Sequence, residues 1–274
     1  MLYQRILTAI PLAIGIICII LFQPTSIFFW LSFVIAAIAG YEWAKLSGLS
    51  RLAGIVYLLV VCAIPWLMTE YANDFIHIYV SAAVLWWLVI TVVMFSYKPK
   101  APDSKRSPCK LFAGILVIPA AVLAMNAIHA GINQGPEWLL YGLMLVWVAD
   151  IGAYFAGRKF GRKKLAPVIS PGKTREGVYG AMLAVGLYSA AAGFYFGLDA
   201  TSTLLLLLLA MVLTVISVVG DLFESILKRE RGVKDSGRIL PGHGGILDRI
   251  DSVLAAMPVF MLGREYLLPS LSVL

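Results

Sequence analysis

The sequence predicts an all-α polytopic membrane protein with about nine transmembrane helices and charged cytoplasmic loops. Three observations carry that expectation. Of 274 residues, 61% are hydrophobic and only 14% charged, whereas a soluble domain carries about a quarter charged residues. The apolar excess is gathered into runs close to the roughly 20 residues that cross a bilayer. When those runs are taken as spans, every Lys and Arg except Arg264 falls on one side. That partition is the positive-inside pattern and sets the N-terminus in the cytoplasm. Adding or removing one helix would scramble it.

In order, the runs are 6–22, 26–46, 52–69, 76–97, 111–129, 138–156, 177–197, 201–220 and 252–268. Arg5 before the first run mimics a signal peptide, but no small-residue cleavage site follows, so the run is read as a retained helix. Pro258 and Arg264 interrupt the ninth and make it the weakest. Segment 97–103, with Pro99 and Pro102, reads as a polar connector. It divides an N-terminal region, 1–97, of four spans from a catalytic region, 98–274, of five. The motif loops of the second region are 157–176 and 221–251. Cys18, Cys62 and Cys109 form no close pair, so neither a disulfide framework nor a zinc site follows. His77 and His129 are expected at the interface, as is an i, i+3 pair of Glu42 and Lys45. No transporter-type repeat is visible, and no nucleic-acid partner is expected.

The densest charge lies between Gly220 and Asp251, against apolar runs on both sides. Charge touching a membrane is costly and is usually functional. Asp221, Glu224, Ser225 and Lys228 are spaced to share one helix face. Arg229 and Lys234 follow. Gly242-His243-Gly244-Gly245 supplies free backbone amides before the next helix, a setting for an anion. Asp248 and Asp251 then stand at i, i+3, with Arg249 between them. Carboxylates, bases and amides together suit a divalent cation holding a phosphorylated ligand.

A second charged stretch runs from Asp150 to Gly177. Tyr154 follows Asp150 at i+4, and Gly152, Ala153 and Gly157 permit close helix contact or ligand approach. Ser170, Lys173, Thr174 and Arg175 offer hydroxyls and positive charge to phosphates. Gly172-Lys173-Thr174 is not a P-loop: Pro167 stands where the first glycine belongs, and no strand is expected before it.

Each acid has an ordinary alternative. Asp221 is a metal ligand or a partner for Lys228. Asp248 is a ligand or the N-cap of the last helix. Asp251 is a ligand or a partner for Arg249, and Asp150 a site residue or one half of an interhelical pair. His243 contacts ligand or bonds within its own loop.

The pattern Ser225-x-x-Lys228-Arg229, Lys234-Asp235, Pro241-x-His243-Gly244-Gly245-x-x-Asp248-Arg249-x-Asp251 resembles the signature of the phosphatidate cytidylyltransferases, or CDP-diacylglycerol synthases. The stretch from Asp150 to Gly177 is similar to a segment of the same family. The first four spans match in hydropathy alone. The resemblance implies transfer of a cytidylyl group from CTP to phosphatidate, with release of pyrophosphate. It implies Mg²⁺ held by Asp221 and Asp248, with Asp251 and Asp150 nearby, and a second, monovalent cation such as K⁺. In that reading Asp221, Lys228, Asp248 and Arg249 are catalytic. Ser170, Lys173, Arg175, Ser225, Arg229, Lys234, His243, Gly244 and Gly245 bind substrate. The partners expected are CTP, phosphatidate, membrane lipid and a second copy of the chain, in the bacterial inner membrane with the site facing the cytoplasm. The alternatives are another CTP-using membrane transferase, such as a polyprenol kinase, and an ion-coupled transporter of phosphorylated solutes. CDP-alcohol phosphotransferases are excluded, because their Asp-Gly-x-x-Ala-Arg motif is missing.

Overall fold

The structure, a computed structural model, describes residues 2–97, 102, 106–240, 242 and 244–268. Among these residues there are nine α-helices: α1 (Leu2–Phe22), α2 (Thr25–Leu46), α3 (Arg51–Tyr71), α4 (Ile76–Phe95), α5 (Pro108–Ala130), α6 (Gly135–Phe160), α7 (Arg175–Tyr195), α8 (Ala200–Glu230) and α9 (Leu247–Leu267). Seven are long and apolar enough to cross a membrane, α2 to α8; α1 contributes a shorter apolar stretch, Ala13–Phe22. Helix α9 falls outside the seven because it carries Asp248, Asp251, Arg264 and Glu265. The described residues are thus mostly helical, with seven helices fit to cross a membrane.

Helix starts follow local chemistry. Ser50 caps α3 by accepting from the Ala53 N–H at 3.4 Å, and Asp199 caps α8 by accepting from the Ser202 N–H at 3.0 Å. Pro119 inside α5 cannot bond back to the Ile115 carbonyl. The Tyr79 hydroxyl of α4 takes that free acceptor at 2.5 Å. Proline in an apolar helix is tolerated here because a neighbour restores the lost bond.

Two helices are longer than a bilayer core is thick. At 1.5 Å per residue, the 31 residues of α8 measure about 46 Å against a hydrocarbon core of about 30 Å. Its last turns, past the apolar run, carry Asp221, Glu224 and Lys228. Helix α6, with 26 residues, likewise runs on through Arg158 and Lys159.

One departure from helix lies between α6 and α7. Strands β1 (Lys164–Ala166) and β2 (Ser170–Thr174) form an antiparallel hairpin, with Lys164 opposite Thr174 and Ala166 opposite Ser170. Strand β1 ends at Ala166, directly before Pro167, so the expectation that no strand precedes this segment is corrected.

Packing joins the two halves of the chain. One buried cluster gathers Trp43, Tyr57, Trp87, Val117, Leu227 and Leu247 from α2 to α5 with α8 and α9; another surrounds Trp138, Leu145 and Phe260. His129, expected at the interface, is instead buried. Its Nε2 lies 3.0 Å from the Ile20 carbonyl and its Nδ1 2.9 Å from the Thr25 hydroxyl, tying α5 to the start of α2.

Candidate active site

The α6–α7 contact positions the first charged stretch. A Cβ on Gly152 would lie 2.8 Å from the Ala184 Cβ and 2.9 Å from the Gly180 carbonyl. Gly157 and Gly177 stack similarly, and a Cβ on Gly177 would meet the Ala153 carbonyl at 3.0 Å. Small residues let the two backbones touch, as apolar surroundings favour. The hairpin is held at both ends. Thr174 caps α7 by accepting from the Gly177 N–H at 3.1 Å, while Glu176 accepts from the Arg162 and Lys163 N–H groups at 3.0 and 3.2 Å. Lys173 then projects from β2 to Asp221 on α8, Nζ to Oδ2 at 2.5 Å.

The α8–α9 contact positions the second stretch. A Cβ on Gly220 would sit 2.6 Å from the Asp251 carbonyl, so α9 crosses α8 where Asp221 begins its polar end. The Ser225 hydroxyl donates to Asp221 Oδ1 at 3.4 Å. Lys228 lies between two acids, in an ion pair with Glu224 and 2.7 Å from Asp248 Oδ1. The other Asp248 oxygen, Oδ2, accepts from the Ser236 N–H at 2.9 Å and the Gly245 N–H at 2.8 Å, and lies 2.9 Å from the Ser236 hydroxyl. Gly244, at φ +86°, leaves no room for a side chain: a Cβ would meet Asp248 Oδ2 at 2.6 Å.

The two stretches therefore meet through the Lys173–Asp221 pair. A cavity of about 320 Å³ opens beside them, lined by Asp150, Tyr154, Arg158, Lys173, Thr174 and Ser217. Asp150 is in electrostatic reach of Lys173, Asp221 and Arg249; Asp251 is in reach of Asp221, Lys173 and Lys228. Among the described residues, no three His, Cys, Asp or Glu side chains converge closely enough to hold a metal ion alone. Mg²⁺ seldom requires that: it is commonly bound by one or two carboxylates plus substrate phosphates. The donors are all carboxylate oxygen, and Glu224 Oε1 is buried without a hydrogen-bond partner. This donor set fits a hard divalent cation.

The sequence-derived residues are distributed unevenly. Asp221, Lys173, Ser225, Lys228, Asp248 and Asp251 come together, and Asp150 lines the cavity with Lys173. Arg175, Arg229, Lys234 and Arg249 are exposed around this centre; Arg229 donates to the Val233 carbonyl at 3.2 Å. Ser170 lies at the far end of β2, opposite Ala166. The Gly245 amide is given to Asp248. His243 and Pro241 lie outside the described residues. The ordinary pairing of Asp221 with Lys228 is replaced by pairing with Lys173. Helix α9 starts at Leu247, so Asp248 stands in its first turn rather than at its cap, which is Ile246.

Sequence reasoning missed Glu42, Glu176 and Ser236 as parts of this centre. Glu42 is not an interfacial partner of Lys45. It is buried, and accepts from the Ser236 hydroxyl at 3.0 Å and the Leu247 N–H at 2.8 Å. Ser236 follows Lys234-Asp235 directly, which was the available signal; for Glu42, a lone acid in an apolar run was the signal.

Residues 3–267 match the cytidylyltransferase family. The chain is 38% identical over 285 residues to a phosphatidate cytidylyltransferase of Haemophilus influenzae, covering 95% of this chain and 97% of that protein. It is 37% identical over 270 residues to one of Pseudomonas aeruginosa, covering 95% and 96%. A relative from Staphylococcus epidermidis is 44% identical over 149 residues, covering 51% and 57%. The extent of these matches bears out the resemblance drawn from the two charged stretches: the chain belongs to the cytidylyltransferase family.

Proposed function

We propose that this protein transfers the cytidylyl group of CTP to phosphatidate, giving CDP-diacylglycerol and pyrophosphate; its relatives are named as phosphatidate cytidylyltransferases. The observation that carries this reading is the Lys173–Asp221 pair, which joins the two charged stretches beside the Lys228–Asp248 pair, at the polar end of α8. A lipid phosphate at the membrane boundary and a soluble polyphosphate can both reach such a place. The family match and the relatives' names support the choice of substrates.

In this proposal a phosphatidate oxygen bonds to the α-phosphorus of CTP. The bond from that phosphorus to the oxygen bridging to the β-phosphate breaks, and pyrophosphate leaves. The nucleophile is already anionic near neutrality, so no residue need remove a proton. Lys173, Lys228, Arg229, Lys234, Arg249 and Arg175 offset the phosphate charges. Asp221 and Asp248, with Asp251 and Asp150 beside them, would hold Mg²⁺; Asp248 would contribute Oδ1, the oxygen now facing Lys228. When bound, the ion supplies charge neutralisation and alignment of the phosphates. A K⁺ ion beside it, a homodimer, and a site on the cytoplasmic face of the bacterial inner membrane complete the proposal.

The test is to incubate purified protein in detergent with radiolabelled CTP, phosphatidate and Mg²⁺, and to identify the lipid product. CDP-diacylglycerol, lost on chelation and restored by Mg²⁺, is the expected result. Product from a polyprenol but none from phosphatidate would replace this reading with a kinase. No product from either would favour transport, because detergent leaves no compartments.

A further inference from the structure

Glu42 lies on α2, distant in sequence from both charged stretches, and is 2% exposed. Its Oε2 accepts from the Ser236 hydroxyl and the Leu247 N–H, and its Oε1 from the Ile246 N–H at 3.3 Å. Gly237 and Gly245 pack on the same carboxylate, and a Cβ on either would press into its oxygens. Asp248 closes the junction from the other side. It takes the Ser236 and Gly245 N–H groups and lies 2.9 Å from the Ser236 hydroxyl that Glu42 also engages.

The first N–H groups of a helix lack intrahelical partners. Helices α3, α7 and α8 satisfy theirs with a cap at the preceding residue. Helix α9 has no such local side-chain cap. Its acceptor arrives from α2 instead, 205 residues away along the chain. A local serine would cap α9 equally well without burying a distant carboxylate, which is costly unless fully bonded. What a distant acceptor adds is position: it fixes the start of α9 and the loop before it relative to the rest of the bundle.

We propose that Glu42 is a positioning residue for the transfer reaction. It clamps residues 236–237 to residues 245–247, and so sets where Asp248 presents Oδ1 to Lys228. The proposal rests on the reading of Asp248 and Lys228 as site groups.

The test uses Glu42→Gln, Ser236→Ala and Asp248→Asn in the full-length protein. Turnover and KM for CTP are measured for each. A spin label at exposed Arg238, with Cys18, Cys62 and Cys109 replaced by Ala, reports loop mobility. Glu42→Gln is expected to lower kcat by roughly 10-fold to 100-fold, the cost of a misplacement of about an ångström. KM should change little and the label should become more mobile. Wild-type turnover in Glu42→Gln, or lost turnover with an unchanged label spectrum, overturns the proposal. If Glu42→Gln does not accumulate as folded protein, Ser236→Ala decides: wild-type turnover and spectrum there overturn it equally. Wild-type turnover in Asp248→Asn would instead overturn the underlying reading of the site, whatever Glu42 does.

Discussion

At the scale of single residues, the site is a set of acids already matched with bases. Asp221→Asn and Asp248→Asn should each lower turnover by ~10² or more, the loss expected when a cation's contribution of several kcal/mol is weakened. Expression should persist. The Lys173 pairing adds a sharper expectation for Asp221→Asn. Freed from Asp221, the Lys173 ammonium is available to phosphate, so CTP affinity measured without turnover should hold or rise while kcat falls. Affinity falling in parallel with kcat would give Asp221 a role in CTP binding instead. Lys228 sits 11% exposed between Glu224 and Asp248. Lys228→Met would leave two acids facing each other without a base, a loss of about 3–5 kcal/mol. It should appear as a lower Tm in detergent; an unchanged Tm would mean that the acids find other partners. These acids were legible in the sequence because Asp221, Glu224, Ser225 and Lys228 repeat at helical spacing. Their partners were not. Spacing offered Lys228 to Asp221, whereas the actual base comes from β2, and no sequence rule links a hairpin lysine to a helix across the fold.

Between elements, close backbone approach decides the geometry. Gly180 sits on Ala156, and a side chain there would collide with it and with the Gly152 carbonyl. Gly180→Val should push α7 away from α6, costing about 1–3 kcal/mol as overpacking does. Lys173 would move from Asp221 with it. Gly172→Ala is the control: it stands in the hairpin just before α7 with nothing within 4 Å of a built Cβ. Thermal unfolding and turnover of the two variants should diverge, and equal losses would argue against α6–α7 contact as the cause. The role of Gly152 and Gly157 in helix contact was readable from residue size alone. The hairpin was not, because 164–174 contains Pro167, Pro171 and Gly172 and lacks the alternation that marks a strand. The length of α8 was cut short for a related reason. Hydropathy ends at Gly220, but helical hydrogen bonding continues to Glu230, and hydropathy reports the surrounding solvent rather than the backbone conformation.

For the whole molecule, composition and the one-sided placement of Lys and Arg made the polytopic architecture legible, and α2 to α8 bear it out as helices fit to cross a membrane. Helix α9 was harder to read because packing, not lipid, surrounds much of it: Leu254, Ala255, Ala256, Met257 and Phe260 are buried in the protein. The expected orientation can be tested with cysteines at exposed Lys164 and Lys234, which should resist impermeant reagents applied to intact cells. Labelling at Lys234 from outside would overturn both the topology and the cytoplasmic site. Lys105, in the other basic loop, lies outside the described residues. The reaction as a whole should be sequential, since phosphatidate already carries an anionic nucleophile and no covalent enzyme step is needed. Labelled pyrophosphate should then not exchange into CTP when lipid-stripped protein is given no phosphatidate. Robust exchange would require a cytidylyl-enzyme and would point to His243 or a motif lysine as nucleophile.

The contact between Glu42 and the start of α9 has a consequence for how the chain is made. The carboxylate emerges from the ribosome long before its donors, which follow 194 to 205 residues later. At a synthesis rate of about 5–20 residues per second, that interval is roughly 10–40 s. For that time α2 carries an acid whose bonding partners do not yet exist, so its final seat in the bundle cannot form at insertion. A nascent chain stalled before Ser236 therefore holds most of its helices but not the junction that completes the site. The junction forms by a docking event, in which α2 receives α9.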